Sequence, residues 1–155
     1  MLVELFLCFL IQDVVFYVGH RFLHSPLSKG IHKIHHQWLV PIGFTAYYTH
    51  PLESYVNAFV ALIGPRLFAS TLNRVYCWFF LAIFYGIIAH ATSGAHDFHH
   101  KYRYVNFSTG VTDRIMGTYY KAKKEELVPL PKWIIFFKLG ITLISIGVSY
   151  LFENS

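Results

Sequence analysis

Apolar residues gather in four long windows, separated by stretches rich in histidine, lysine and arginine. The windows are residues 1–17, interrupted by Glu4 and Asp13; 55–72, interrupted by Pro65 and Arg66; 75–89; and 133–152, interrupted only by Lys138. Each approaches the roughly 20 apolar residues that an α-helix needs to cross a bilayer. The pattern predicts a first helix through Met1–Gly19, a hairpin from about Tyr55 to Ala89 turning near Pro65–Arg74, and a last helix over Trp133–Phe152. Two polar stretches lie between them, His20–Pro51 with short helices and His90–Lys132. The expected fold is all-α: an integral membrane helical bundle with a cytoplasmic histidine-rich metal-binding cap. Its domains are residues 1–132, a shortened membrane domain, and 133–155, a C-terminal apolar helix.

Composition supports lipid as the solvent. The chain of 155 residues is 55% hydrophobic and 14% charged, against about 45–50% and about 25% in soluble domains. The first window lacks a basic leader and a small-residue cleavage site, which predicts a retained helix rather than a signal peptide. Cys8 and Cys77 fall inside apolar windows and read as core residues, not a disulfide framework. Residues 20–33 carry Arg21, Lys29 and Lys33, and residues 101–132 carry seven further lysines and arginines against Asp113, Glu125 and Glu126. The positive-inside rule turns both stretches to the cytoplasm. The net charge of +5 therefore reads as topology and attraction to anionic lipid. Without a DNA-binding motif, nucleic acid is not an expected partner.

The ten histidines change the picture most. His20 and His24 are four apart; His32, His35 and His36 are spaced i, i+3, i+4, as are His96, His99 and His100; His90 stands six residues before the last triplet. Such positions share a helix face, so each triplet is expected to point three imidazoles at one place. At about 100° per residue, Asp13, Tyr17, His20 and His24 fall within an arc of about 60° on the first helix. Asp13 is accordingly expected to accept the spare N–H of a ligand histidine, His20 or one in a loop. Polar clusters at a membrane boundary mark function, and imidazoles suit zinc, copper, iron or nickel. Eight histidines in the three motifs suffice for two metals.

The ordered motifs HRFLH, HKIHH, GFTAYYTHPLE, a histidine ending an apolar helix, HDFHH and DRIMGT, over roughly Asp13–Thr118, resemble the fatty acid hydroxylase and sterol desaturase superfamily. Within it they are most similar to C4-methylsterol monooxygenases and fatty acid hydroxylase domain-containing proteins. The resemblance implies a non-haem di-iron, O2-dependent monooxygenase of the endoplasmic reticulum membrane that hydroxylates or oxidises a sterol, at a C4-methyl group, or a long-chain lipid. It implies two iron ions, with zinc able to substitute on purification, and electrons delivered through a reductase and often cytochrome b5. By position, the implied metal ligands are His20, His24, His32, His35, His36, His90, His96, His99 and His100. His50, in THPLE, also matches a family position, as a ligand or as a residue supporting one. Unactivated C–H bonds lie beyond the reach of side chains alone, so the cofactor carries that chemistry. Zinc fits the same nitrogens but has no redox chemistry.

Three departures qualify the resemblance. Relatives place a second histidine four residues after the one at His90 and then a Pro-rich loop; here HATSGAHDFHH puts Gly94 there and lacks the loop. Relatives carry more transmembrane helix upstream, and the segment Trp133–Phe152 has no counterpart in them. The alternative reading is a catalytically impaired metal-binding membrane pseudoenzyme or truncated isoform. His90 and His96 can still meet, since the link reaches at most about 20 Å and TSG is turn-like.

Other residues have plainer readings. Phe44, Tyr47, Tyr48 and Tyr55 read as core or membrane-interface aromatics, and Glu53 either orients a histidine or stands solvated. Asp113 and Arg114 read as a salt bridge in a turn, with Gly117 allowing tight backbone. Asn106-Phe107-Ser108 is a glycosylation sequon, unused if cytoplasmic. A transporter is disfavoured because the triplets lie outside the apolar windows, and haem because it needs two facing axial histidines.

Overall fold

The computed structural model describes residues 2–91, 95–123 and 126, and among them every regular element is helical. In order these are α1 (Leu2–Leu23), α2 (Lys29–His32), 3-10 turns at His35–Gln37 and Gly43–Tyr47, α3 (Pro51–Phe68), α4 (Leu72–Ala91), α5 (Ala95–Tyr102) and α6 (Val111–Ile115). The predicted helix Trp133–Phe152 and the Gly94 position lie outside the described residues.

The hairpin turns at residues 69–71, inside the predicted interval, but α3 begins four residues before its apolar window. His50 caps it, its Nδ1 accepting the Leu52 N–H at 3.2 Å, and Pro51 takes the first helical position, where its missing N–H costs nothing. Pro65 sits inside α3 rather than in the turn. A proline there withdraws a hydrogen bond from the carbonyl four residues earlier, and the Trp78 indole N–H of α4 supplies it instead, 2.9 Å from the Ala61 oxygen. On its other side α3 packs closely on α1. A Cβ at Gly64 would stand 2.9 Å from the Cys8 Cα, so only glycine admits this approach.

α1 and α4 are long and apolar enough to cross a bilayer, and few of their residues are buried. Among the described helices they alone meet that standard. The predicted span in α3 does not, because Glu53, Ser54, Asn57 and Arg66 interrupt its apolar run. Arg74, near the start of α4, pairs with Glu4 near the start of α1 at 2.5 Å. Their far ends carry His90 and His20, so the two helices run the same way. Among the described residues the buried side chains are polar more often than apolar, while Val3, Phe6, Val14 and Val18 of α1 lie exposed. That inverts the soluble pattern. Cys8 and Cys77 are buried free thiols.

Candidate metal centre

All nine histidines singled out by spacing meet at the common end of α1 and α4. They form two groups, His20, His24, His32, His36 and His99 in one and His35, His90, His96 and His100 in the other, each with its ligand atoms within 4.8 Å of one another. The groups adjoin, with the His36 and His100 ring centroids 4.6 Å apart. The triplets do not each converge on one place as expected. His32 and His36 face one group and His35 the other; His99 faces one and His96 and His100 the other. Consecutive residues on a helix diverge by about 100°, so adjacent histidines serve neighbouring sites.

Bonds outside the groups fix which nitrogen faces inward. A carbonyl oxygen can only accept, so the Nδ1–H groups of His20, His90, His99 and His100 donate to Phe107, Gly86, Val105 and Trp38 respectively, at 2.7 to 2.9 Å. His32 Nδ1 donates to the buried carboxylate Glu53 Oε1 at 2.8 Å. A neutral imidazole that donates through Nδ1 carries its lone pair on Nε2. The Nε2 atoms of His20 and His32 nevertheless stand 3.0 Å apart, lone pair against lone pair. The His99 Nε2 lies 3.1 Å from those of His24 and His36, and His90 Nε2 lies 3.2 Å from His35 Nε2. Cis ligands about 2.1 Å from one ion are about 3.0 Å apart. The buried Nε2 atoms of His96 and His100 have no hydrogen-bond partner. These donors fit a metal, and they fit two better than one.

Electrostatics agree. Burial first, then the neighbouring imidazoles, holds His35, His96 and His99 well below the usual histidine range. The same burial pushes His24 down to about 3 and His100 down to about 4. These five rings are therefore neutral and available as ligands at physiological pH.

Asp13 does not accept from a histidine, correcting the sequence reading. Its oxygens are taken by the N–H and hydroxyl of Thr109 and of Thr112, with the backbone bonds at 2.9 and 2.7 Å. It anchors the loop whose Phe107 carbonyl orients His20. Asp113 braces the same loop, accepting from Phe107 N and Ser108 N at 2.8 Å and from Thr118 Oγ1 at 2.7 Å. Arg114, read as its salt-bridge partner, donates to the Gly110 carbonyl and lies over the Tyr119 ring. Gly117 does take the positive φ expected of a tight turn.

The remaining expectations divide. Glu53 orients His32 rather than standing solvated. His50 belongs to neither histidine group and caps α3. Phe44, Tyr47, Tyr48 and Tyr55 are exposed, so they are not core. Asn106 is fully buried and its amide donates to the Ala95 and Tyr120 carbonyls, which leaves no free acceptor for a glycan. Spacing missed Phe107, which lies buried against His20, His24 and His99. A pocket of about 240 Å³ opens beside His24, lined by Arg21, Ser25, Tyr104, Phe107 and Thr118.

Comparison with known proteins gives the arrangement a context. The chain is 39% identical over 128 residues to fatty acid hydroxylase domain-containing protein 2 of Macaca fascicularis, covering 76% of this chain and 38% of the relative. It is 35% identical to methylsterol monooxygenase 2-2 of Arabidopsis thaliana, over 71% of this chain and 50% of the relative. It is 32% identical to a very-long-chain aldehyde decarbonylase of Oryza sativa, over 62% and 42%. The chain thus spans half or less of the length of these relatives. No solved structure matches it. The family model for fatty acid hydroxylase matches residues 5–118, a stretch that takes in every clustered histidine, and on that match the chain belongs to the fatty acid hydroxylase family.

Proposed function

We propose that the chain carries the catalytic centre of a non-haem di-iron membrane monooxygenase, which uses O2 to hydroxylate or oxidise a sterol or long-chain lipid. The observation that carries the reading is the pair His20 and His32, whose lone pairs face each other at 3.0 Å with both Nδ1 atoms already engaged. Family membership supports iron and a lipid substrate, and the relatives' names add sterol methyl groups and very-long-chain aldehydes as substrate chemistry.

Two irons, when bound, supply the redox chemistry with O2 that no side chain offers. This chain's residues hold and prepare the site. His20, His24, His32, His36 and His99 would hold one ion, and His35, His90, His96 and His100 the other. Glu53 keeps His32 in the tautomer that presents Nε2 inward and raises its basicity. Carbonyls of Phe107, Gly86, Val105 and Trp38 do the same for four other rings. Phe107 covers one side of the first group and also lines the pocket beside His24.

In this reading α1 and α4 cross the endoplasmic reticulum membrane, and the histidine layer faces the cytoplasm, the side that carries Arg21, Lys29, Lys33, Lys101 and Arg103. Electrons come from a reductase, with cytochrome b5 as carrier. The test is turnover: membranes containing the chain are given a 4-methylsterol or a long-chain fatty acid under isotopically labelled O2. Label in the product, absent with His35→Ala, supports a monooxygenase. Product without label contradicts it.

A further inference from the structure

We propose that the segment Trp38–Tyr48, between the second histidine motif and α3, dips into the bilayer from the histidine-bearing side, and that lipid is what covers its exposed apolar side chains. The inference rests on reading α1 and α4 as spans. It adds a non-spanning element at which bilayer lipid meets the His35, His90, His96 and His100 group.

Depth is the first argument. The Glu4–Arg74 pair marks one polar end of the two spans. Measured from Arg74 along α4 at about 1.5 Å per residue, Ile83 lies about 14 Å in and Ile87 about 20 Å in. Both fall within a hydrocarbon core about 30 Å thick. The turn Gly43–Tyr47 packs at that level. Tyr47 donates its hydroxyl to the Ile83 carbonyl at 2.9 Å, and a Cβ at Gly43 would stand 3.1 Å from the Ile87 side chain.

The chemistry of the segment suits that depth. No Asp, Glu, Lys or Arg occurs between Gln37 and Glu53, in a polar half of the chain otherwise rich in them. Phe44 is 93% exposed and Val40 81%, a patch that water would penalise. Part of the backbone satisfies itself, as lipid requires. Pro41 has no N–H; Ile42 N–H donates to Thr45 Oγ1, Thr45 N–H to Ile42 O and Tyr48 N–H to Thr45 O. Trp38, at the histidine-bearing end of the segment, is of the type favoured at a membrane–water boundary. The segment joins the centre directly, because the Trp38 carbonyl accepts from His100 Nδ1.

The test places a nitroxide at Phe44→Cys in the full chain, with Cys8 and Cys77 changed to Ala, reconstituted in phosphatidylcholine vesicles. Labels at Val18→Cys and Lys29→Cys give the lipid-facing and water-facing references. The Phe44 label should collide with O2 more than with a polar nickel chelate, as at Val18, while Lys29 shows the reverse. Chelate access at Phe44 matching Lys29, or shielding from both reagents, overturns the proposal. A Val18 label open to the chelate overturns the spanning reading itself. Val40→Cys gives the same readout should Phe44→Cys not fold.

Discussion

His20 and His32 approach through nitrogens that both carry lone pairs. Their Nε2 atoms are 3.0 Å apart, while Phe107 O and Glu53 Oε1 hold their Nδ1 protons. With both rings neutral no proton joins them, and the two lone pairs fit a shared cation. The negative charge of the supporting acceptor on His32 can be removed without touching a ligand. Glu53→Gln is expected to keep the fold and weaken metal binding about 10–100-fold, read by competition with a chelator. Unchanged affinity would take Glu53 out of the centre.

His99 and His100 are consecutive yet face different groups. His99→Ala should therefore deplete one site and His100→Ala the other, each variant keeping roughly half the metal and losing turnover. Loss of all metal in both would mean that the two groups form a single site.

Asp13 ties the loop at Thr109 and Thr112 to α1 through four donors. Asp13→Asn replaces an acceptor oxygen with an N–H₂ group facing donors, at a cost on the order of 3 kcal/mol. The expected result is a lower unfolding midpoint in detergent and loosened metal, with Thr112→Ser much milder. An unshifted midpoint would remove the anchor.

Acid should destabilise the metal-free protein. Folding lowers the histidine pKa from its usual 6.5 to about 3 at His24 and about 4 at His100, through burial. Between those values the unfolded chain binds more protons than the folded one, so stability is full above pH 6.5 and falls as pH drops toward 3 to 4. Bound metal competes with the same protons and should move the loss to lower pH. Denaturation midpoints measured from pH 7 to 4, with and without metal, check both statements. A flat profile would contradict the buried, neutral cluster.

The histidine spacing made all nine cluster members legible in sequence, and the apolar windows located α1 and α4. The division of HKIHH and HDFHH between two groups was not legible, because it depends on which distant ring meets each nitrogen. Asp13 sat on the right face of α1, but its partners Thr109 and Thr112 lie 96 and 99 residues away, beyond the reach of local periodicity. His50 and Pro51 carry a helix-start signal, masked by the position of His50 among so many histidines. Asp113 looked like half of a salt bridge because Arg114 follows it, whereas its neighbours in space are backbone N–H groups.

The most direct measurement is metal stoichiometry by elemental mass spectrometry on the chain purified in detergent after expression with iron supplied, beside His35→Ala and His99→Ala. Two irons per chain in the parent, reduced in each variant, is the expected result. One or none in folded parent protein contradicts the dinuclear centre.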